Sequence, residues 1–149
     1  MVDQKRQDEV RSAIELFYFA YRGFTDRPDR ILKRRGLGRV HHRILYFIGR
    51  TPNVSVRGLL DLLAVSKQAL NAPLRQLVEM NLVSTMSDPA DRRAKNLRLT
   101  VEGQRLETEL TGAQMRHLQF AFSHVKRSQE EGWRAVMEKL LDLAERVPA

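Results

Sequence analysis

The chain contains no cysteine. That excludes a disulfide framework, a thiolate metal site and a cysteine redox sensor, and it makes a reducing, cytoplasmic setting the default. No apolar run approaches the ~20 residues that a membrane-spanning helix needs. The opening "MVDQKRQDEV" lacks the apolar core of a signal peptide. Internal repeats and low-complexity segments are absent. So are a Ser-His-Asp signature, a glycine-rich phosphate loop and a paired-carboxylate motif, so nothing supports an enzyme. Acidic residues are scarce: 18 Asp+Glu stand against 26 Lys+Arg, a formal net charge of +8 in 149 residues. An excess of that size suggests a polyanion as partner, either nucleic acid or an anionic membrane surface. The length suits one domain with an appended helical element.

What is present is mostly helical periodicity. Val10, Ala13, Ile14, Phe17, Tyr18, Tyr21 and Phe24 recur at spacings of 3 and 4, which predicts a helix over 5–24. The stretch "TDRPDRILKRRGLGR" (25–39) holds a proline and two glycines. It also holds Arg27, Arg30, Lys33, Arg34, Arg35 and Arg39, and it reads as a connector with at most one helical turn. Val40, Ile44, Leu45 and Ile48 mark a second helix that stops at "GRTPN". Ser55 is placed to cap a third helix through Leu63, and Ser66 a fourth that runs to Met80. Asn81 stands where a left-handed C-cap residue belongs. Two short β-rich runs, "LVSTMSD" and "NLRLT", flank a polar loop and predict a hairpin. Thr100 then caps a fifth helix carrying Leu106, Leu110, Ala113, Leu118, Ala121, Phe122 and Val125. "SQEE" (128–131) reads as a capping box made by Ser128 and Glu131. It opens a sixth helix with Trp133, Val136, Met137, Leu140, Leu143, Ala144 and Val147 in phase.

The third and fourth helices are joined only by "AVS" (64–66), the spacing of a helix-turn-helix. In that motif the first residues of the second helix meet base edges in the major groove. Here these are Lys67, Gln68, Ala69, Asn71 and Ala72. Gln and Asn suit adenine, Lys suits guanine acceptors, and Ala suits the thymine methyl. An ordinary helical hairpin with a polar outer face is the competing reading. A hairpin placed directly after a helix-turn-helix makes a winged helix, with "SDPADRRAKNLRLT" (87–100) at the wing. Arg92, Arg93 and Lys95 would then lie along the DNA backbone or in the minor groove. Asp88 and Asp91 are expected to accept loop amides and to hold the arginines in fixed poses. Pro89 stiffens the turn. Pro73 is the oddity. It falls well inside the recognition helix, where proline removes a hydrogen bond, and it predicts a bend near Ala69–Pro73.

At these residues the sequence resembles the MarR (multiple antibiotic resistance regulator) family of bacterial transcription factors. The resemblance rests on "SVRGLLDLLAVSKQALNAPLRQLVEMNLV" and on "DPADRRAKNLRLTVEG". Asp88, Asp91, Arg92, Arg93, Leu97, Leu99, Thr100 and Gly103 match the family's wing pattern. Ala90 replaces a wing-tip arginine, and Asn81 a glycine. The resemblance implies a mainly α fold with a small β-hairpin: a winged helix-turn-helix with additional N- and C-terminal dimerisation helices. In that fold 1–149 is a single protomer, 40–100 the DNA-binding lobe, and 5–24 and 101–147 the dimerisation helices. It also implies a homodimer whose first, fifth and sixth helices interlock. The apolar stripes of those helices agree, because a second copy would cover them. Two recognition helices about one DNA turn apart call for a pseudo-palindromic operator.

The function expected is therefore a sequence-specific, double-stranded-DNA-binding repressor released by a small ligand. Ser55, Arg57, Arg75 and the wing would hold phosphates. Lys67, Gln68, Asn71 and Ala72 would read bases, with Ser66 opening their helix. The alternatives are a non-specific DNA-binding or protein-interaction module and a metal-responsive regulator. Phe17, Tyr18, Tyr21, Tyr46 and Trp133 read chiefly as core. Phe17, Tyr21, His42 and Tyr46 form the candidate pocket for a small aromatic or anionic effector. No cofactor is expected. His117 and His124, two turns apart on the fifth helix, and the pair His41 and His42 read as packing or surface residues, because a tetrahedral metal site needs further ligands. The basic 27–39 run is open between a solvated face, flanking phosphate contacts and an anionic ligand.

Overall fold

The computed structural model describes residues 3–144. The first apolar stripe folds as α1 (Gln4–Arg34), started by Asp3, whose carboxylate accepts the Lys5 amide. The helix does not stop at residue 24. The 3/4 spacing continues through Tyr21, Thr25, Pro28 and Leu32, and the last three side chains are buried. The expected connector 25–39 is therefore largely helix. Pro28 gives up one backbone donor, but burial of this stripe holds the helix together. The Thr25 hydroxyl, which bonds the Tyr21 and Arg22 carbonyls, helps to hold it as well. α1 ends at Gly36, which takes a left-handed φ of 71°. The Leu37 amide reaches back to the Leu32 carbonyl, and the Gly36 amide to Lys33.

After α2 (Arg39–Arg50) come β1 (Val54–Ser55), α3 (Val56–Leu63), α4 (Lys67–Glu79), β2 (Val83–Ser87), β3 (Lys95–Leu99), α5 (Val101–Ser123) and α6 (Arg127–Leu143). β2 and β3 form the expected hairpin, with Val83 opposite Leu99 and Ser87 opposite Lys95. The sheet has a third strand, in the order β1-β3-β2, because Val54 pairs with Leu97. Two residues are too few to show alternation, so β1 carried no periodic signal. Leu32, Ile44, Leu45, Ile48, Leu59, Leu70, Leu77, Leu82, Leu97, Leu106 and Leu110 close one apolar core around this sheet.

The caps are local and follow the expected chemistry. Ser55 Oγ accepts the Gly58 amide and Ser66 Oγ the Ala69 amide, each about one turn into its helix. α4 runs unbroken through Pro73. It ends as α1 does, with Asn81 at φ 58° and the Leu82 amide bonded to the Leu77 carbonyl. Thr100 Oγ1 accepts the Gly103 amide at 3.0 Å and donates to the Asn81 carbonyl at 2.6 Å. It thus starts α5 and pins it to the end of α4.

The chain divides into a unit that ends at Gln114 and a second that begins at Met115. In the second, Trp133 meets Phe122 edge-on at 5.5 Å, and Arg134 lies 5.7 Å from the Phe122 ring centre. α6 starts earlier than the expected Ser128 and Glu131 box. Gln129 Oε1 accepts the Lys126 amide at 2.8 Å, which sets the cap two residues upstream. Glu131 pairs with Arg127 instead, at 3.3 Å. Phe17, Tyr18, Tyr21 and Trp133 are exposed in the single chain, so the core reading fails for them. Tyr46 is half-buried. Val147 lies outside the described residues.

Candidate nucleic-acid interface and a cleft on α2

α3, a three-residue turn and α4 make the helix-turn-helix. The turn is possible because Ala64 takes a left-handed φ of 51° and Ser66 caps the next helix at once. Lys67, Gln68, Ala69, Asn71, Ala72 and Arg75 are all exposed along α4, while Leu70 and Leu77 point into the core. One helix therefore anchors by one face and presents amides, cations and methyls on the other. Ser55 and Arg57 sit at the start of α3, with Arg57 exposed. The Ser55 and Ser66 oxygens already accept a backbone amide each, and their hydroxyl protons remain available to an acceptor.

The 88–94 loop is built by its own backbone and its two acids. Asp88 Oδ1 accepts the Ala90 amide at 2.8 Å, and Asp91 Oδ1 the Arg93 amide at 3.0 Å. The Asp88 amide bonds the Ala94 carbonyl and the Ala94 amide the Asp91 carbonyl, closing the loop. The carboxylates do not pair with the arginine side chains, contrary to expectation. Each acid instead gives one carboxylate oxygen to the amide two residues on. Among the described residues Arg92 and Arg93 enter no ion pair, and with Lys95 they stand exposed on the wing. Arg98 on β3 adds a fourth exposed cation. Its Nε bonds the Asn53 side chain, which ties the wing to the turn before β1. In "NLRLT" Arg98 falls between Leu97, which is buried, and Leu99, which is half-buried, so strand alternation turns it outward, but no motif singled it out.

A separate cleft of about 180 Å³ is lined by Tyr21, Thr25, Pro28, Asp29, Arg39, His42, Arg43, Tyr46, Phe47 and Gln114. It gathers three of the four residues expected for an effector pocket, Tyr21, His42 and Tyr46. Phe17 is not among them. It lies one turn earlier on the part of α1 that has no buried side chain, and it is exposed. Sequence reasoning missed Asp29, and it named Arg39 only as one member of the basic 27–39 run. They stand ten residues apart and no motif spans them. Asp29 grips the Arg39 guanidinium at 2.8 to 3.1 Å through three contacts. The Asp29 hydrogen bond, and then its charge, holds the Arg39 pKa above the ordinary value. Thr25 Oγ1 accepts from Arg39 at 3.2 Å, and the Tyr21 ring centre lies 5.6 Å from the guanidinium carbon. The rest of the basic 27–39 run splits. Arg30 is paired with Asp26, while Arg27, Lys33, Arg34 and Arg35 are exposed.

Both histidines of α2 are packing groups with defined partners. His42 Nε2 lies 3.1 Å from Thr111 Oγ1, and that hydroxyl donates to Glu107 at 2.7 Å. Thr111 has a single proton, so His42 must carry its own on Nε2 and donate. Burial pushes the His42 pKa down, outweighing the opposing pull of Asp29, and Arg43 adds a smaller push in the same direction. Among the described residues no group of three or more His, Cys, Asp or Glu is arranged to hold a metal ion.

Comparison with known proteins agrees with this geometry. The MarR family model matches residues 35–94, from the end of α1 to the wing. The helix-turn-helix-type transcriptional regulator PetP of Rhodobacter capsulatus is 41% identical over 139 residues, covering 93% of this chain and 84% of that protein. The chain belongs to the MarR family. It is a helix-turn-helix transcriptional regulator, not an enzyme. Solved MarR-family structures share its fold. MarR of Staphylococcus aureus, in complex with salicylate and kanamycin, superposes with a TM-score of 0.74 at 21% identity, over 96% of this chain and 97% of that one. The Staphylococcus aureus MepR–DNA complex gives 0.71 at 20% identity, over 86% and 95%. Among the described residues no helix of this MarR-family regulator is long and apolar enough to cross a membrane.

Proposed function

We propose that this regulator is a cytoplasmic homodimer that binds a pseudo-palindromic operator in double-stranded DNA and represses until a small ligand releases it. The observation that carries the reading is the combination of an exposed Lys67, Gln68, Asn71 face with a closed loop whose Arg92 and Arg93 are exposed and enter no ion pair among the described residues. The first can read base edges, and the second supplies phosphate or minor-groove contacts. Ser55, Ser66, Arg57, Arg75 and Lys95 add positioning contacts. The MepR–DNA complex supports this use of the fold. Residues 40–100 are the DNA-binding lobe in this reading, and 5–24 and the described part of 101–147, which ends at 144, carry the dimer contacts.

The cleft on α2 is the effector site in this reading. Tyr21, Tyr46 and Phe47 offer aromatic walls, Arg39 and Arg43 positive charge, and His42 a neutral imidazole. These suit a small aromatic or anionic molecule, and the salicylate complex of the S. aureus relative agrees. Release requires that such a ligand bind better to dimers whose recognition helices are wrongly spaced for the operator.

The test is fluorescence anisotropy on operator and scrambled duplexes across a salt series. Gln68→Ala is expected to lower operator affinity by roughly 1–3 kcal/mol and to leave scrambled DNA unaffected. Arg92→Ala/Arg93→Ala is expected to weaken both and, with two wings per dimer, to flatten the salt slope by about four. Equal affinities for the two duplexes would move the protein to non-specific binding, and a zinc- or chelator-dependent affinity to metal sensing.

A further inference from the structure

His41 is buried and takes no part in the interface or the cleft. Its ring is nonetheless fully used. Nδ1 accepts the Gly38 amide at 2.9 Å, across the N-terminus of α2. A backbone amide only donates, so Nδ1 carries no proton and the neutral ring holds its proton on Nε2. That nitrogen lies 2.9 Å from Gln76 Oε1, on α4. The acceptor assignment fixes the Gln76 amide in turn. Its nitrogen donates to the Gly36 carbonyl at 3.3 Å, at the left-handed residue that ends α1. Two hydrogen bonds thus join the α1–α2 joint to α4, and the Gly38–His41 bond inside the joint fixes the polarity of both.

The same joint forms one end of the cleft. Arg39 follows Gly38 directly and is the first residue of α2. Its guanidinium is held by Asp29 and Thr25 of α1. A change in how Arg39 is held acts on the first turn of α2, where Gly38 and His41 sit, and so on Gln76. We propose that the Gly38–His41–Gln76 bridge is the link through which the cleft sets the pose of α4, with His41 and Gln76 as positioning residues. The proposal rests on the reading of α4 as the recognition helix. It adds the route by which occupancy of the cleft reaches that helix. A contact route alone does not establish coupling, so the test measures coupling itself.

The experiment is a double-mutant cycle on the full chain, read by amide hydrogen exchange along α4 without DNA. Asp29→Asn loosens Arg39, and Gln76→Met removes the amide while keeping side-chain length. With Gln76 present, D29N is expected to speed exchange of α4 amides by about threefold or more, the low end for directly coupled residues. In the Q76M background it is expected to change α4 no further. Thr25→Val, which removes the other Arg39 partner, serves as the perturbation should D29N fold poorly. His41→Asn keeps an acceptor at the Nδ1 position for the Gly38 amide but ends short of the Nε2 position that meets Gln76, so it is expected to behave as Q76M. The proposal is overturned if D29N or T25V affects only α1 and α2. It is equally overturned if either speeds α4 to the same extent in both backgrounds. Because no DNA is present, a failed operator search would remove the proposed function without deciding this result.

Discussion

Gly103 shows how much a single residue decides. It is buried where α5 crosses the end of α4, and a Cβ there would lie 1.9 Å from the Leu82 carbonyl oxygen. Backbone cannot step aside cheaply. Gly103→Ala is therefore expected to lower the unfolding free energy by about 1–3 kcal/mol or more, measured by urea denaturation; an unchanged midpoint would contradict the close approach. His42 makes a pH prediction. Its pKa in the folded chain lies below the ordinary 6.5 because burial disfavours the charged ring. The stability it contributes is present above that value and lost as pH falls toward the folded pKa. Wild type should lose more thermal stability between neutral pH and mildly acidic pH than His42→Gln does, and parallel losses would contradict the assignment. Residues of this kind differ in how far a sequence exposes them. Ser55, Ser66, Thr100 and Asn81 act over a few residues of chain, so their roles were legible. The His42–Thr111 contact spans 69 residues and the Asp29–Arg39 pair ten, and no local pattern announces either.

At the scale of elements, proline is where local reading and packing part. Pro28 was read as a break, yet α1 passes through it because Thr25, Pro28 and Leu32 continue the buried stripe. Carrying the 3/4 spacing past residue 24 would have revealed the longer helix. The strand β1 had no such signal, since its pairing partner Leu97 lies far along the chain. Pro73 sits inside α4 in the same manner. Pro73→Ala restores a backbone donor and is expected to raise the thermal midpoint, since an interior proline costs a helix ~3 kcal/mol. If Pro73 aims Lys67 and Gln68, the variant also changes the bases preferred at the positions those side chains read. A raised midpoint with an unchanged preference assigns Pro73 no part in recognition.

At the scale of the whole molecule, the winged helix closes its own core, while other faces stay apolar and open. Val10, Ile14, Phe17 and Tyr18 on α1 are exposed, as are Trp133, Val136, Leu140 and Leu143 on α6. Stripes of this size on two helices are what a second copy would cover. Sedimentation equilibrium is expected to give twice the chain mass, and Ile14→Glu or Leu140→Glu to shift it toward the single chain. A wild-type monomer at micromolar concentration would contradict the dimer. Sequence-specific recognition by paired helices and wings is read out by selecting bound fragments from a random duplex pool at physiological salt. Wild type and Arg92→Ala/Arg93→Ala would be run in parallel. An enriched pseudo-palindrome whose half-sites lie about one DNA turn apart is expected, with weaker enrichment in the wing variant. Binding that tracks salt alone, with no enriched motif from either protein, would contradict it.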